Sequence, residues 1–329
     1  MKTPTILLLV LILFSSCEEK AKENIKLSGP VFGSCYEVAY YSETNEDFQK
    51  AFDSLFNVIN LSLSTYRDDS DISMLNRNEP VKVDDHFKEV FNRSKEIHKF
   101  TNGVFDPTIG AVVNAWDFGP KGKVIGLDSA KIDSLMLSVG LDKVALEGNS
   151  IIKQNEDTFI DFNAIAKGYG VDVVADFLES KGITSYIVEI GGEIRAKGIN
   201  IEKDRPWTVG VEKPNFDGSR SIMRTLQVSD IGMATSGTYR KFSVDVDGNR
   251  YSHIINPKTG YPSKTNVLSV SVLASDCMTA DAYATAFQAM GIERVTEFLK
   301  SHPELKVYLI FENESNNLET LTLNGFPEN

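Results

Sequence analysis

Between Thr158 and Gly182 the chain passes from an apolar run through a polar turn into an amphipathic stretch, and the rest has to pack around that order. Phe159 to Phe162 is short and apolar and predicts a buried strand. Asn163 is of the N-cap type, and a helix is expected from there to about Ser180. Ala166, Gly170, Val173, Val174, Phe177 and Leu178 share one face at helical spacing, and Gly182 supplies the stop. Asp161, Asn163, Ala164 and Lys167 then sit where a strand hands over to a helix. Unpaired N–H groups and the positive end of the helix dipole suit an anionic phosphate there. Lys167 adds a mobile positive charge. The same residues also read as an ordinary strand-to-helix turn with a surface lysine, and the stretch alone does not separate the two.

The chain has 329 residues, 42% hydrophobic and 24% charged. That is enough for one large domain or two small ones. No repeat or Pro/Gly linker divides it, so one unit is expected. A net charge of −12 makes it a poor candidate for nonspecific nucleic-acid or anionic-membrane binding. Any phosphate site must be made locally, against that field.

Lys2 and the apolar run Ile6 to Phe14 fit a signal-peptide core, too short to span a bilayer. Ser15 and Ser16 lead into Cys17, and a charged run follows from Glu18 to Glu23. This resembles a bacterial lipoprotein signal, with Phe14 where Leu is usual and Ser16 where Gly or Ala is usual. A plain secretory peptide with an incidental cysteine is the other reading. The expectation is a signal peptide over 1–16, a tether over 17–28 beginning at lipidated Cys17, and a folded domain over 29–329. Of the cysteines only Cys35 and Cys277 then remain. No disulfide framework and no zinc cluster is expected.

Further along, residues 31–41 read as a strand and 46–63 as an amphipathic helix, ending in a polar turn over 64–73. Asp84 caps a helix through Phe100, closed by Asn102-Gly103. Asp106-Pro107 opens a helix carrying Val112, Val113 and Trp116. Strands flank Gly191-Gly192. Residues 250–262 run from a strand into a Pro-x-x-Gly turn. Val267 to Ala274 is a buried strand, Asp276 caps a helix through Met290, and a last helix (292–299) precedes strands at 307–311 and 318–323.

Asp281 and Thr285 are one helical turn apart, so both oxygens lie on one face. A carboxylate with a hydroxyl is a partial shell for Mg²⁺, which takes few protein oxygens and completes its octahedron with water and substrate phosphates. Taken alone, such a pair is more often a solvated or capping arrangement. His253, between a strand and a rigid turn, can serve as phosphate donor, as acid or base, or as a structural histidine. Tyr66, Trp116 and Tyr239 can stack on an aromatic ligand or simply pack.

Seven strings taken together resemble one family. They are Ser-Thr-Tyr-Arg-x-x-Ser-Asp-Ile-Ser-x-Leu-Asn (64–76), Asn-Gly-x-Phe-Asp-Pro-Thr-Ile-Gly with Val-Asn-Ala-Trp (102–116), Asp-Phe-Asn-Ala-Ile-Ala-Lys-Gly-Tyr (161–169), Glu-Ile-Gly-Gly-Glu-Ile-Arg-Ala-Lys-Gly (189–198), Ala-Thr-Ser-Gly-x-Tyr-Arg (234–240), Ser-His-Ile-Ile-x-Pro-x-Thr-Gly-x-Pro (252–262) and Ala-Asp-Ala-x-Ala-Thr (280–285). In order, and over essentially the whole mature chain, they resemble the FAD:protein FMN transferases, the ApbE-type flavin transferases. The resemblance implies an α+β fold with a mixed β-sheet core flanked by helices, in a single two-lobed domain. It implies Mg²⁺-dependent cleavage of FAD, release of AMP, and a phosphodiester joining FMN to a threonine hydroxyl of an extracytoplasmic acceptor flavoprotein. The enzyme would be anchored through lipid on the periplasmic side of a bacterial membrane. By position, the metal ligands would be Asp281, Thr285 and the backbone oxygen of Ala164. FAD contacts would include Phe32, Tyr66, Ala115, Trp116, Asp117, Asp161, Lys167 and Ile255, and His253 and Asp281 would be catalytic. Asn256 stands where the family usually has Asp, and Asp117 where Gly is common. FAD pyrophosphatase activity, and flavin carriage without catalysis, are the alternatives.

Overall fold

In the computed structural model, which describes residues 22–239, 242–244 and 250–327, the chain runs β1 (Glu23–Val31), β2 (Ser34–Ser42), α1 (Gln49–Leu63), α2 (Asp71–Asn76), α3 (Asp85–Phe100), α4 (Gly110–Ala115), α5 (Ser129–Met136), β3 (Val144–Glu147), β4 (Ser150–Lys153), α6 (Ala166–Ser180), β5 (Tyr186–Ile190), β6 (Glu193–Lys197), β7 (Ile199–Asn200), β8 (Arg205–Glu212), β9 (Ile222–Val228), β10 (Ile231–Gly237), β11 (Phe242–Val244), β12 (Arg250–Ser252), β13 (Val267–Ala274), α7 (Cys277–Met290), α8 (Ile292–Leu299), β14 (Lys306–Glu312) and β15 (Leu318–Leu323). Cys17, expected to carry lipid, lies outside the described residues.

Eight strands form one sheet in the order β1-β2-β5-β6-β10-β13-β14-β15. Every neighbouring pair is antiparallel. The α+β class stands, but the expected mixture of strand directions does not. Tight turns join β1 to β2 and β5 to β6, and a two-residue turn reverses the chain. Phe32 and Gly33 make the first of these with φ of 49° and 70°, the left-handed pair of a type I′ turn. The expected tether over 17–28 is also corrected. β1 already pairs from Glu23, opposite Ser42, as an edge strand whose half-exposed pattern hides it in the sequence.

On one face of the sheet lie α6 and α7, with α1 packed on α6 and α3 on α7. β13 is buried along its whole length, Ser269 and Ser271 included. The β8–β9 hairpin covers the other face, setting Trp207, Val209, Val211 and Leu226 against Ile194, Met233, Leu273 and Tyr308.

The two central helices cap each other. Asp172 of α6 accepts from the N–H groups of Cys277 and Met278, at 3.0 and 2.8 Å, at the start of α7. Asp281 of α7 accepts from the N–H of Gly168, at 2.9 Å, at the start of α6. Each helix therefore meets a carboxylate at its positive end. β6 reinforces the arrangement through alternate side chains. Glu193 pairs with Lys167, Arg195 with Asp172, Asp176 and Glu179, and Lys197 with Glu179.

Candidate active site

Residues 160–162 are buried and Phe159 is half-buried, but they form no strand. Phe159 makes a single bridge to Ile109, and Asp161 donates its N–H to Pro107. The Asn76 side chain then brackets Ile160, accepting from its N–H and donating to its C=O, both at 2.8 Å. Long-range partners thus take the backbone groups that a sheet neighbour would have used. Nor does Asn163 cap the helix. The Asp161 carboxylate accepts from the Asn163 N–H at 2.8 Å, which folds 161–165 into a turn. The helix begins only at Ala166, with Ile165 in the cap position and no side-chain bond there.

This turn leaves the Ala164 carbonyl without its regular helical partner. Regular helical bonding would send the Gly168 N–H to it, yet that N–H goes to Asp281. The link brings the Ala164 turn and the Asp281 side chain together, as the expected metal set requires. Thr285, one turn along α7, lines the same cavity.

The cavity has a volume of about 930 Å³, at the upper end for small-molecule sites. Phe32, Tyr66, Asp161, Ala164, Lys167, His253, Ile255, Asp281 and Thr285 all line it. Ala115, Trp116 and Asp117 do not. Trp116 donates its indole N–H to Gly260 at 2.8 Å and packs edge-on to Tyr251. It belongs to a small core with Val113, Phe118 and Ile255, and those three do reach the cavity. Tyr66 stands at the mouth, 61% exposed. Half-buried His253 meets the Phe118 ring edge-on at 6.2 Å.

Lys167 is not the mobile cation its place at a helix start suggested. Its ammonium sits 2.6 Å from Glu193, which is 3% exposed. Burial pulls the Lys167 pKa down, but Glu193 and Asp281 outweigh this and hold it above the usual lysine value. Burial pushes Glu193 up to about 7, against the pull of Lys167 and with a further push from Asp281. Asp281 is raised by burial too, offset by Lys167 and the Gly168 N–H. Two buried carboxylates thus face one ammonium.

Glu193 was absent from the sequence-based site. Its signal was the alternation Glu193, Arg195, Lys197, a charged face on a central strand that needs a helix of opposite charge against it.

Around the cavity Asp106, Asp161, Glu193 and Asp281 outnumber Arg67 and Lys167, and Arg67 is paired with Asp69. A diphosphate needs further positive charge there. The donors around Gly168 are a carboxylate, a hydroxyl and a backbone carbonyl, the oxygen set that a hard divalent cation takes. They fit Mg²⁺, although no group of three His, Cys, Asp or Glu clusters for a metal among the described residues.

The model of the ApbE family matches residues 32–309. The chain belongs to the ApbE family. It is 40% identical over 303 residues to the FAD:protein FMN transferase of Vibrio cholerae, covering 89% of each chain. It is 35% identical over 315 residues to that of Haemophilus influenzae, covering 92% of this chain and 90% of the other. The flavin transferase ApbE from Vibrio cholerae superposes with a TM-score of 0.82 at 36% identity, over 92% of this chain and 97% of that one. The ApbE protein of Thermotoga maritima gives 0.78 at 26% identity, over 90% and 96%.

The two departures from the usual ApbE pattern have local explanations. Asp117 has φ of 69°, a left-handed position that glycine takes freely and aspartate tolerates. Asn256 turns its side-chain oxygen to the Lys258 N–H at 2.9 Å, a turn-closing bond that an aspartate also makes.

Proposed function

We propose that this protein transfers FMN from FAD to a threonine hydroxyl of an acceptor flavoprotein, with Mg²⁺ as its resident cation. The observation that carries the reading is the bond from the Gly168 N–H to Asp281 beside the Ala164 turn, with Ala164, Lys167, Asp281 and Thr285 all lining one cavity of about 930 Å³. The threonine oxygen forms a bond to the phosphorus of the FMN half, and the bond from that phosphorus to the bridging oxygen breaks. AMP leaves with the bridging oxygen, and the hydroxyl proton passes to a base. Asp281, Thr285 and the Ala164 carbonyl would hold Mg²⁺, which when bound supplies charge neutralisation to the diphosphate. Lys167 presents a fixed ammonium to the same oxygens.

The test is the intact mass of an extracytoplasmic acceptor domain after incubation with FAD, Mg²⁺ and the soluble enzyme. A gain of one FMN phosphodiester is expected. Release of FMN and AMP with no mass gain assigns the protein as an FAD pyrophosphatase instead.

His253 is the one histidine among the described residues that line the cavity, and we assign it the hydroxyl proton. His253→Ala is expected to slow transfer about 100-fold and to flatten the acid side of the pH profile. An unchanged rate and profile would remove the histidine from the mechanism.

Cys17 is proposed to carry the lipid, on the periplasmic side of the membrane. Because β1 starts at Glu23, the intervening chain spans at most about 20 Å and keeps the domain close to the bilayer. Cys17→Ser is expected to move the protein from the membrane to the soluble fraction and to abolish fatty-acid labelling. Labelling that persists in the variant sinks the assignment.

A further inference from the structure

The buried carboxylate of Glu193 has an environment that a purely structural ion pair does not need. Oε1 meets the Lys167 ammonium at 2.6 Å. Oε2 is also buried and has no hydrogen-bond partner among the described residues. A buried carboxylate oxygen left without a partner costs free energy, and here it belongs to a side chain lining the cavity that also holds Asp281 and Thr285. Glu193 follows the Gly191–Gly192 turn at the start of β6, so a rigid sheet strand fixes its backbone. With Asp281 it sets two negative charges against one ammonium.

We propose that Glu193 is a positioning residue of the phosphate-cleaving site, acting in two linked ways. Its Oε1 holds the Lys167 ammonium in the cavity wall, a contact that the amide oxygen of a glutamine can keep. Its charge leaves the cluster one unit negative, so that a divalent cation is taken up at Asp281 while an anionic diphosphate alone is held less well. Glu193 thereby makes FAD binding depend on the cation. This proposal rests on the metal reading above.

The test measures binding in the absence of turnover. Mn²⁺, a spectroscopic substitute for Mg²⁺, is titrated without FAD into the wild type, Glu193→Gln, Glu193→Asp and Asp281→Ala. FAD binding is then measured in chelator for the wild type and Glu193→Gln. Loss of the charge in Glu193→Gln is expected to weaken Mn²⁺ binding about ten- to hundredfold, while FAD binding in chelator is unchanged or tighter. Glu193→Asp, which keeps the charge, is expected to recover part of the Mn²⁺ affinity. The selective loss of Mn²⁺ affinity without loss of FAD affinity is the signature, because a merely structural role weakens both ligands together. Mn²⁺ affinity at the wild-type level in Glu193→Gln, with Asp281→Ala deficient, overturns this proposal and leaves the metal site standing. Weakening of both ligands in Glu193→Gln also overturns it. Wild-type Mn²⁺ binding in Asp281→Ala overturns the metal assignment itself, and this proposal falls with it.

Discussion

Asp281→Asn is expected to lower the transfer rate about 1,000-fold while leaving the protein folded, and a chelator is expected to do the same to the wild type. The asparagine keeps an oxygen to accept the Gly168 N–H, the bond that ties the start of α6 to α7, so the helices need not move. What it removes is a charge 6% exposed to solvent, where Coulomb interactions are screened far less than at the surface. The cluster of Lys167, Glu193 and residue 281 then becomes neutral. The proposed Mg²⁺ would lose its carboxylate ligand, and the diphosphate oxygens would lose the counter-charge that it supplies. The acceptor's intact mass, followed over time, reads the rate. A melting temperature near that of the wild type separates the chemical loss from a folding loss. Transfer within a few-fold of the wild type in Asp281→Asn would show that this carboxylate does not hold the catalytic cation.

Much of this arrangement was legible in the sequence, because many determinants are local. Asp84 and Asp276 cap α3 and α7 as read, each accepting from an N–H three residues on. The spans of β13, α8 and β15 follow from apolar period and length. Motifs scattered from Tyr66 to Thr285 did converge on one cavity. The misses share a physical cause, namely partners far away along the chain. Phe159 to Phe162 looked like a strand because nothing nearby announces that Asn76 and Pro107 satisfy its backbone. The polar turn read over 64–73 hid the start of α2 (Asp71–Asn76), because that helix is short and only Ile72, Ser73 and Leu75 are buried. β1 was taken for a tether because its pattern is that of an edge strand, half exposed. Lys167 looked mobile because Glu193 reaches it from the adjacent sheet rather than from its own helix.

Gly168→Ala is expected to cost about 3 kcal/mol of stability and to lose transfer in the protein that still folds. A Cβ at this position would lie 2.4 Å from the Cys277 carbonyl oxygen and 2.8 Å from the Asp281 Cβ. The first obstacle is backbone at the start of α7, which Asp172 holds through two N–H bonds and a cap at Asp276 fixes as well. It cannot swing aside as a flexible side chain would. The helices must therefore separate, and the packing of α7 against β10 and β13 resists that movement. Separation lengthens the Gly168–Asp281 bond and carries Asp281 and Thr285 away from the Ala164 carbonyl. Ordinary helix propensity predicts the reverse, since replacing glycine by alanine inside a helix is favourable by about 1 kcal/mol. The sign of the change thus decides between the two accounts. Denaturant unfolding of Gly168→Ala, followed by Mn²⁺ titration of the folded fraction, measures both consequences. A variant as stable as the wild type or more so, with unaltered Mn²⁺ affinity, would show that α6 and α7 are not held together by close approach at Gly168. A less stable variant that also fails to bind Mn²⁺ would tie the helix contact and the cation site to the same missing side chain.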